Sequence, residues 1–280
     1  MNNLTKRLIL AGVFIPALLV IILFMPWMNN LVINAVILFF SFWGGRETAR
    51  ILNNRGFKLH LLGSGIVSFL PGIAVYLTLV FNIQVELLLP VIILTSAAIL
   101  LREGFLHKRE DLMGVINRFT GYLTVLIYPG LFVSYMIKIS SFDMYPPIIL
   151  TFLALVFSND SFAYIFGVLF GKNNRGLFKV SPNKSVAGFI GGLSGSIGAA
   201  FLMAWIFPDL FGGRVVITLF TGLLIGLLAV AGDLIESALK RSGEVKDSGT
   251  ILMGRGGVMD SIDSLLFCAP FYYYLMDYLH

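Results

Sequence analysis

Apolar residues run along this chain in long blocks separated by short polar connectors. Nine blocks stand out, approximately 8–28, 31–45, 60–81, 87–101, 119–137, 146–170, 186–207, 215–239 and 262–279. Unbroken runs of this kind predict helices that cross a hydrocarbon layer about 30 Å thick. The second, fourth and ninth are short for that thickness, which tilting or local thinning would accommodate. Lys6 and Arg7 ahead of the first block have the look of a signal peptide. Phe24, Met25, Pro26, Trp27 and Met28 stand where a small-residue cleavage site belongs, so this block is expected to be a retained helix.

Composition agrees with the pattern. Of 280 residues 58% are hydrophobic and 12% charged, where a soluble domain carries about a quarter of its residues as charges. That excludes an ordinary soluble enzyme, a nucleic-acid-binding domain and a disordered chain. One cysteine, Cys268, excludes an internal disulfide framework and a Cys-rich metal site. The expected fold is all-α, a polytopic integral membrane protein of about nine transmembrane helices. The net charge of +5 matters only by loop. With the N-terminus cytoplasmic, every Lys and Arg except Lys138 and Arg214 falls on the cytoplasmic side, as basic loops should.

The longest polar stretches are Arg46–Lys58, Arg102–Arg118, Lys172–Lys184 and Lys240–Gly257, all cytoplasmic on this topology. Residues 1–141 read as N-terminal membrane helices with solvated basic connectors. In 142–280, acidic residues and glycines enter the apolar blocks themselves, and this half is expected to carry a polar site facing the cytoplasm.

A carboxylate at membrane depth costs at least about 2.5–3.5 kcal/mol on insertion scales and needs a partner, a pathway or a metal. Asp160 lies inside the sixth block, Asp233 and Glu236 in the eighth, and Asp260 and Asp263 open the ninth. Asp233, Glu236, Ser237 and Lys240 share one helical stripe, and Asp260 and Asp263 share a face. Opposed, such faces could hold Mg²⁺, which takes carboxylate oxygens, water and phosphate. His60, His107 and His280 lie elsewhere, which argues against zinc. Pairing of Asp233 or Glu236 with Lys240 is the purely structural alternative. Between the acidic pairs run Lys240, Arg241, Lys246 and Arg255 with Gly243, Gly249, Gly254, Gly256 and Gly257. Glycines let backbone N–H groups approach phosphate, cations neutralise it, and the helix starting at Asp260 would aim its positive end at an anion. Lys172, Ser181 and Lys184 form a third basic element, with a loop touching anionic headgroups as the plain alternative. Gly188, Gly191, Gly192, Gly195 and Gly198 read as a close-packing stripe.

These residues resemble the phosphatidate cytidylyltransferases, or CDP-diacylglycerol synthases. That family's signature runs roughly S-x-x-K-R-x4-K-D-x-G, a spacer, then H-G-G-x-x-D-R-x-D. Ser237, Lys240, Arg241, Lys246, Asp247, Gly249, Gly256, Gly257, Asp260 and Asp263 stand in matching places. Asn159 to Tyr164, Gly171-Lys172 and Ser181-Pro182-x-Lys184 are similar too, so the likeness covers about 155–265 in detail. Arg255 replaces the usual histidine and Ser261 the usual arginine, and Val186 and Ala187 follow the Ser-Pro-x-Lys run where the family has an acidic residue.

The resemblance implies transfer of CMP from CTP to phosphatidate, giving CDP-diacylglycerol and pyrophosphate, at the cytoplasmic face of the inner membrane. It implies Asp233, Asp260 and Asp263 as Mg²⁺ ligands and catalytic groups, together with Lys240 and Arg241. Substrate contacts would fall to Asp160, Lys172, Ser181, Lys184, Lys246, Arg255, Gly256 and Gly257. It also implies a homodimer, with CTP, a lipid phosphate and the bilayer as partners and no nucleic acid. The departures keep a divergent, weakly active or inactive paralogue that binds lipid phosphate, or an enzyme for another lipid phosphate, as the alternative.

Overall fold

The computed structural model describes residues 12, 16–105, 112, 114–251 and 256–280. Among the described residues there is no strand; isolated bridges join Arg175 with Ser185 and Phe178 with Ser181. After a helical stretch over 16–24 come eight longer helices. They are α1 Trp27–Asn53, α2 Leu61–Val80, α3 Leu88–Phe105, α4 Val115–Ile139, α5 Tyr145–Phe170, α6 Val186–Ile206, α7 Val215–Ser242 and α8 Met259–Leu279. Among the described residues, α1 to α7 are long and apolar enough to cross a membrane, and the chain is an integral membrane protein. The first apolar block lies partly outside the described residues. The ninth is helical, as α8, and holds Asp263 and Asp277, with Asp260 in its first turn.

The described residues fall into two compact units. In the first, residues up to Ser141 pack with Leu239–Ile262. Helix α1 does not stop where its apolar block ends but runs on through Arg46, Glu47 and Arg50 to Asn53. Backbone hydrogen bonding is indifferent to side-chain polarity, and Glu47, only 2% exposed, finds internal donors. Its first residues are unusual: Met28, Asn29 and Asn30 are left-handed, with φ of 47, 52 and 59°. Side chains hold that strained entry, Tyr76 Oη donating to the Met28 carbonyl (2.9 Å) and Asn29 Nδ2 to the Leu79 carbonyl (2.7 Å). Helix α4 widens to a π-turn at Leu126–Leu131 around Pro129, which cannot donate. The hydroxyl of Ser41 lies 2.8 Å from the Pro129 carbonyl and 2.7 Å from the Ser68 carbonyl, binding α1 against α4 and α2.

The second unit is Phe142–Ala238 with Asp263–His280. Glycine spacing decides how its helices meet. A Cβ on Gly191 or Gly195 of α6 would strike Phe166 or Phe162 of α5, and one on Gly222 of α7 would fall 2.7 Å from the Ile197 backbone of α6. Such absences of side chains let helices approach closely in a membrane, where apolar burial alone gives no drive. Buried Asn159 of α5 adds a polar tie, its Nδ2 donating to the Gly226 carbonyl at 3.2 Å. Tyr272 of α8 donates to the Ile148 carbonyl of α5 at 2.8 Å.

Candidate functional site

In the second unit Gly232 brings α7 onto the start of α8. A Cβ there would lie 2.7 Å from the Asp263 carbonyl and 3.0 Å from the Ser264 Cα. That contact places Asp233 and Glu236 of α7 beside Asp263 of α8, one oxygen from each within 4.8 Å of the others. Glu236 and Asp263 are buried and Asp233 is half-buried. Three carboxylates so close repel one another unless cations neutralise them. One cation is on hand: Lys184 Nζ sits 2.6 Å from Asp233 Oδ2. The Ser237 hydroxyl lies 3.4 Å from Asp233 Oδ1, and the Ser264 amide donates to Asp263 Oδ1 at 2.7 Å.

The loop between α5 and α6 folds back on itself to deliver Lys184. The amides of Gly176 and Leu177 donate to the Lys184 carbonyl, and the Val186 amide donates to the Asn174 carbonyl. Ser185 then caps α6, its hydroxyl accepting from the Gly188 amide at 3.0 Å. Lys172 and Ser181 belong to the same loop; Lys172 is exposed and Ser181 half-buried in a tight turn. Asp160 is exposed on α5, one residue beyond the buried Asn159.

In the first unit a different set converges. Lys240 Nζ lies 2.6 Å from Asp260 Oδ1, with both side chains largely buried. Asp260 Oδ2 accepts from the Gly257 amide (2.7 Å), the Ser248 amide (2.9 Å) and the Ser248 hydroxyl (3.0 Å). Burial pushes the Asp260 carboxyl up, but the Lys240 hydrogen bond, the Gly257 and Ser248 amides and the Lys240 charge together hold it below its ordinary value. Asp260 therefore stays ionised at neutral pH.

A residue outside every sequence motif completes this set. Glu47 of α1 accepts from the Val258 amide (3.1 Å) on Oε1 and from the Met259 amide (2.9 Å) on Oε2, and the Ser248 hydroxyl, shared with Asp260, lies 3.0 Å from Oε2. The glycines of the loop are shaped around these carboxylates. A Cβ on Gly249 or Gly257 would overlap Glu47, and one on Gly256 would come within 2.5 Å of Asp260 Oδ2. Gly256 also has φ of 97°, where a side chain is strained. The amides expected to meet an anion at this helix start are thus given to Asp260 and Glu47. Neighbouring contacts dock the same loop on α1: Asn54 Nδ2 donates to the Gly243 carbonyl (3.1 Å), and Arg55 pairs with Glu244 (3.2 Å). Arg241 and Lys246 are exposed, and Arg255 lies outside the described residues.

Of the three expected metal ligands, Asp233 and Asp263 are in the converging trio, where the third member is Glu236. Both oxygens of Asp260 are engaged by Lys240 and the loop. The trio offers hard carboxylate oxygens only, a donor set that suits a hard divalent cation such as Mg²⁺ better than zinc. Glu47 carried no sequence signal, since one glutamate between Arg46 and Arg50 reads as part of a solvated loop; its partners Ser248, Val258 and Met259 lie 201, 211 and 212 residues away.

Comparison with known proteins gives these clusters a context. A family model described as the cytidylyltransferase family matches residues 5–279. A phosphatidate cytidylyltransferase of Bacillus subtilis (strain 168) is 40% identical over 178 residues, covering 58% of this chain and 61% of that protein. One of Aquifex aeolicus (strain VF5) is 37% identical over 180 residues, 63% of each chain. One of Staphylococcus aureus (strain COL) is 44% identical over 117 residues, 41% of this chain and 44% of its own. The matched part thus spans about three-fifths or less of the length of these relatives.

Proposed function

The chain belongs to the cytidylyltransferase family, and from that premise we propose that it is a CTP-dependent phosphatidate cytidylyltransferase of phospholipid biosynthesis. An oxygen of the lipid phosphate attacks the α-phosphorus of CTP, forming one P–O bond as the bond to pyrophosphate breaks. The products are CDP-diacylglycerol and pyrophosphate. The carrying observation is the convergence of Asp233, Glu236 and Asp263 within 4.8 Å beside a lysine, on an integral membrane protein whose similar relatives bear this name.

Asp233, Glu236 and Asp263 would hold Mg²⁺, which when bound supplies charge neutralisation for phosphate oxygens. The chain's own residues position and neutralise, which is most of what phosphoryl transfer asks of a protein. Lys184 covers the charge of Asp233 and would pass from it to a substrate phosphate. Lys240, held by Asp260, presents a fixed ammonium in the first unit, and Arg241, Lys246 and Lys172 offer exposed cations for triphosphate or headgroup. The proposal includes nine spans with a cytoplasmic N-terminus, an inner-membrane location with the site facing the cytoplasm, and a homodimer. The all-but-two distribution of Lys and Arg supports the orientation. Ser261 in place of the usual arginine supports a second reading of the acceptor, a lipid phosphate other than phosphatidate.

The test is purified protein with α-labelled CTP, Mg²⁺ and a panel of lipid phosphates. CDP-lipid is the expected product, phosphatidate the expected best acceptor, and Asp233→Asn and Asp263→Asn the expected inactive variants. No CDP-lipid from any acceptor refutes the activity; near-normal rates in both variants refute the metal assignment.

A further inference from the structure

Glu47 is remote in sequence from everything the family motif covers, yet the residue is 2% exposed, and its carboxylate accepts from the Val258 and Met259 amides and shares the Ser248 hydroxyl with Asp260. A buried carboxylate is costly unless each oxygen is satisfied. Here both oxygens are, by two consecutive amides opening α8 and by Ser248. Ser248 in turn contacts Asp260, and Asp260 holds Lys240. The chain Glu47–Ser248–Asp260–Lys240 therefore fixes an ammonium through three intermediate contacts. Gly249 and Gly257 lack side chains where any side chain would strike Glu47, so the loop's local composition is matched to a carboxylate on α1. A second fit comes one turn earlier, where Met259 Sδ would lie 2.7 Å from a Cβ on Gly44.

We propose that Glu47 is a positioning residue for catalysis: its carboxylate sets Ser248 and the start of α8 and, through Ser248 and Asp260, the place of the Lys240 ammonium that meets the nucleotide phosphates. The proposal rests on the cytidylyltransferase reading for what Lys240 meets, and on geometry alone for what Glu47 holds. Glu47 touches no substrate. Glutamine at this position keeps the shape but turns an NH₂ toward amide donors, so one acceptor is lost and like dipoles face each other.

Two measurements on the full-length protein in lipid nanodiscs test it. In Glu47→Gln, KM for CTP rises at least about tenfold, the effect of one buried hydrogen bond to a charged group lost, while KM for the lipid phosphate is unchanged. Amide exchange across 256–260 speeds up in the same variant, with helical content by circular dichroism as in the parent. A double-mutant cycle supplies the specific readout. Gly249→Ala damages the parent, because its methyl meets Glu47, and costs markedly less once Glu47→Ala has opened that space, leaving the 3.2 Å approach to the Gly257 Cα. An unaltered KM for CTP, an activity loss that only follows loss of folded protein, or an additive cycle overturns the proposal. Should the parent protein make no CDP-lipid, the functional reading fails separately, and the exchange and folding arms of the cycle still decide whether Glu47 holds the loop.

Discussion

Replacing Lys184 with methionine removes the ammonium 2.6 Å from Asp233 Oδ2 while keeping a chain of similar length. A divalent cation held by the trio, as proposed, would share the Asp233 carboxylate with that ammonium and be repelled by it. Two unit charges about 4 Å apart interact by about 4 kcal/mol at the effective dielectric of a protein surface and about 1 kcal/mol in water. The Lys184 and Asp233 side chains are 26% and 38% exposed, so screening brings the figure towards the lower end. About 1–2 kcal/mol is reasonable, which tightens divalent binding about 5- to 30-fold in Lys184→Met. Mn²⁺ binding followed by electron paramagnetic resonance, with Mg²⁺ as competitor, reads this directly, and Asp233→Asn is the opposing control with weakened binding. Unchanged or weaker Mn²⁺ binding in Lys184→Met would show that the lysine and the metal do not share Asp233. CTP turnover is expected to fall in the same variant, since Lys184 is proposed to meet substrate phosphate as well.

Two other outcomes follow from the first unit. Asp260→Asn leaves Lys240 without its counter-charge in a largely buried place, a loss of about 3–5 kcal/mol measured by denaturant unfolding of the detergent-solubilised protein. Because the folded-state carboxyl titrates below its ordinary value of 3.8, its stabilisation is complete above that pH and is lost as pH falls through the lower folded value. The gap between parent and variant should therefore narrow only in strong acid; a gap that closes near neutrality refutes the assignment. Glu103→Gln breaks the buried pair with Arg118, 2.6 Å apart and 1% and 6% exposed, and is expected to destabilise by about 3–5 kcal/mol. A thermal scan showing parental stability would mean that the pair is worth no more than a surface one.

Hydropathy located the middles of the helices well, because length and apolar content are what a span requires. The block 186–207 became Val186–Ile206 and 146–170 became Tyr145–Phe170. It failed at α1, whose C-terminal turns carry Arg46, Glu47 and Arg50 and so look like a connector. Nothing local distinguishes a solvated glutamate from one whose donors arrive some 200 residues later. Asp233, Glu236 and Asp263 were legible as carboxylates in apolar surroundings at helical spacing, and their approach was not, since it depends on Gly232 meeting the α8 backbone. The loop glycines were legible as conformational freedom but not as room for the carboxylates of Glu47 and Asp260.

Ser248 has one hydroxyl hydrogen and two carboxylates at 3.0 Å, Glu47 on one side and Asp260 on the other. At any instant only one of them receives it, and a turn of a single torsion passes it across. The two acids are thus rivals for one donor, so whatever draws Asp260 away, an approaching phosphate's claim on Lys240 included, leaves the hydroxyl wholly to Glu47. The grip on the loop would then tighten at one end as it slackens at the other, which makes this serine a balance beam and not a rivet.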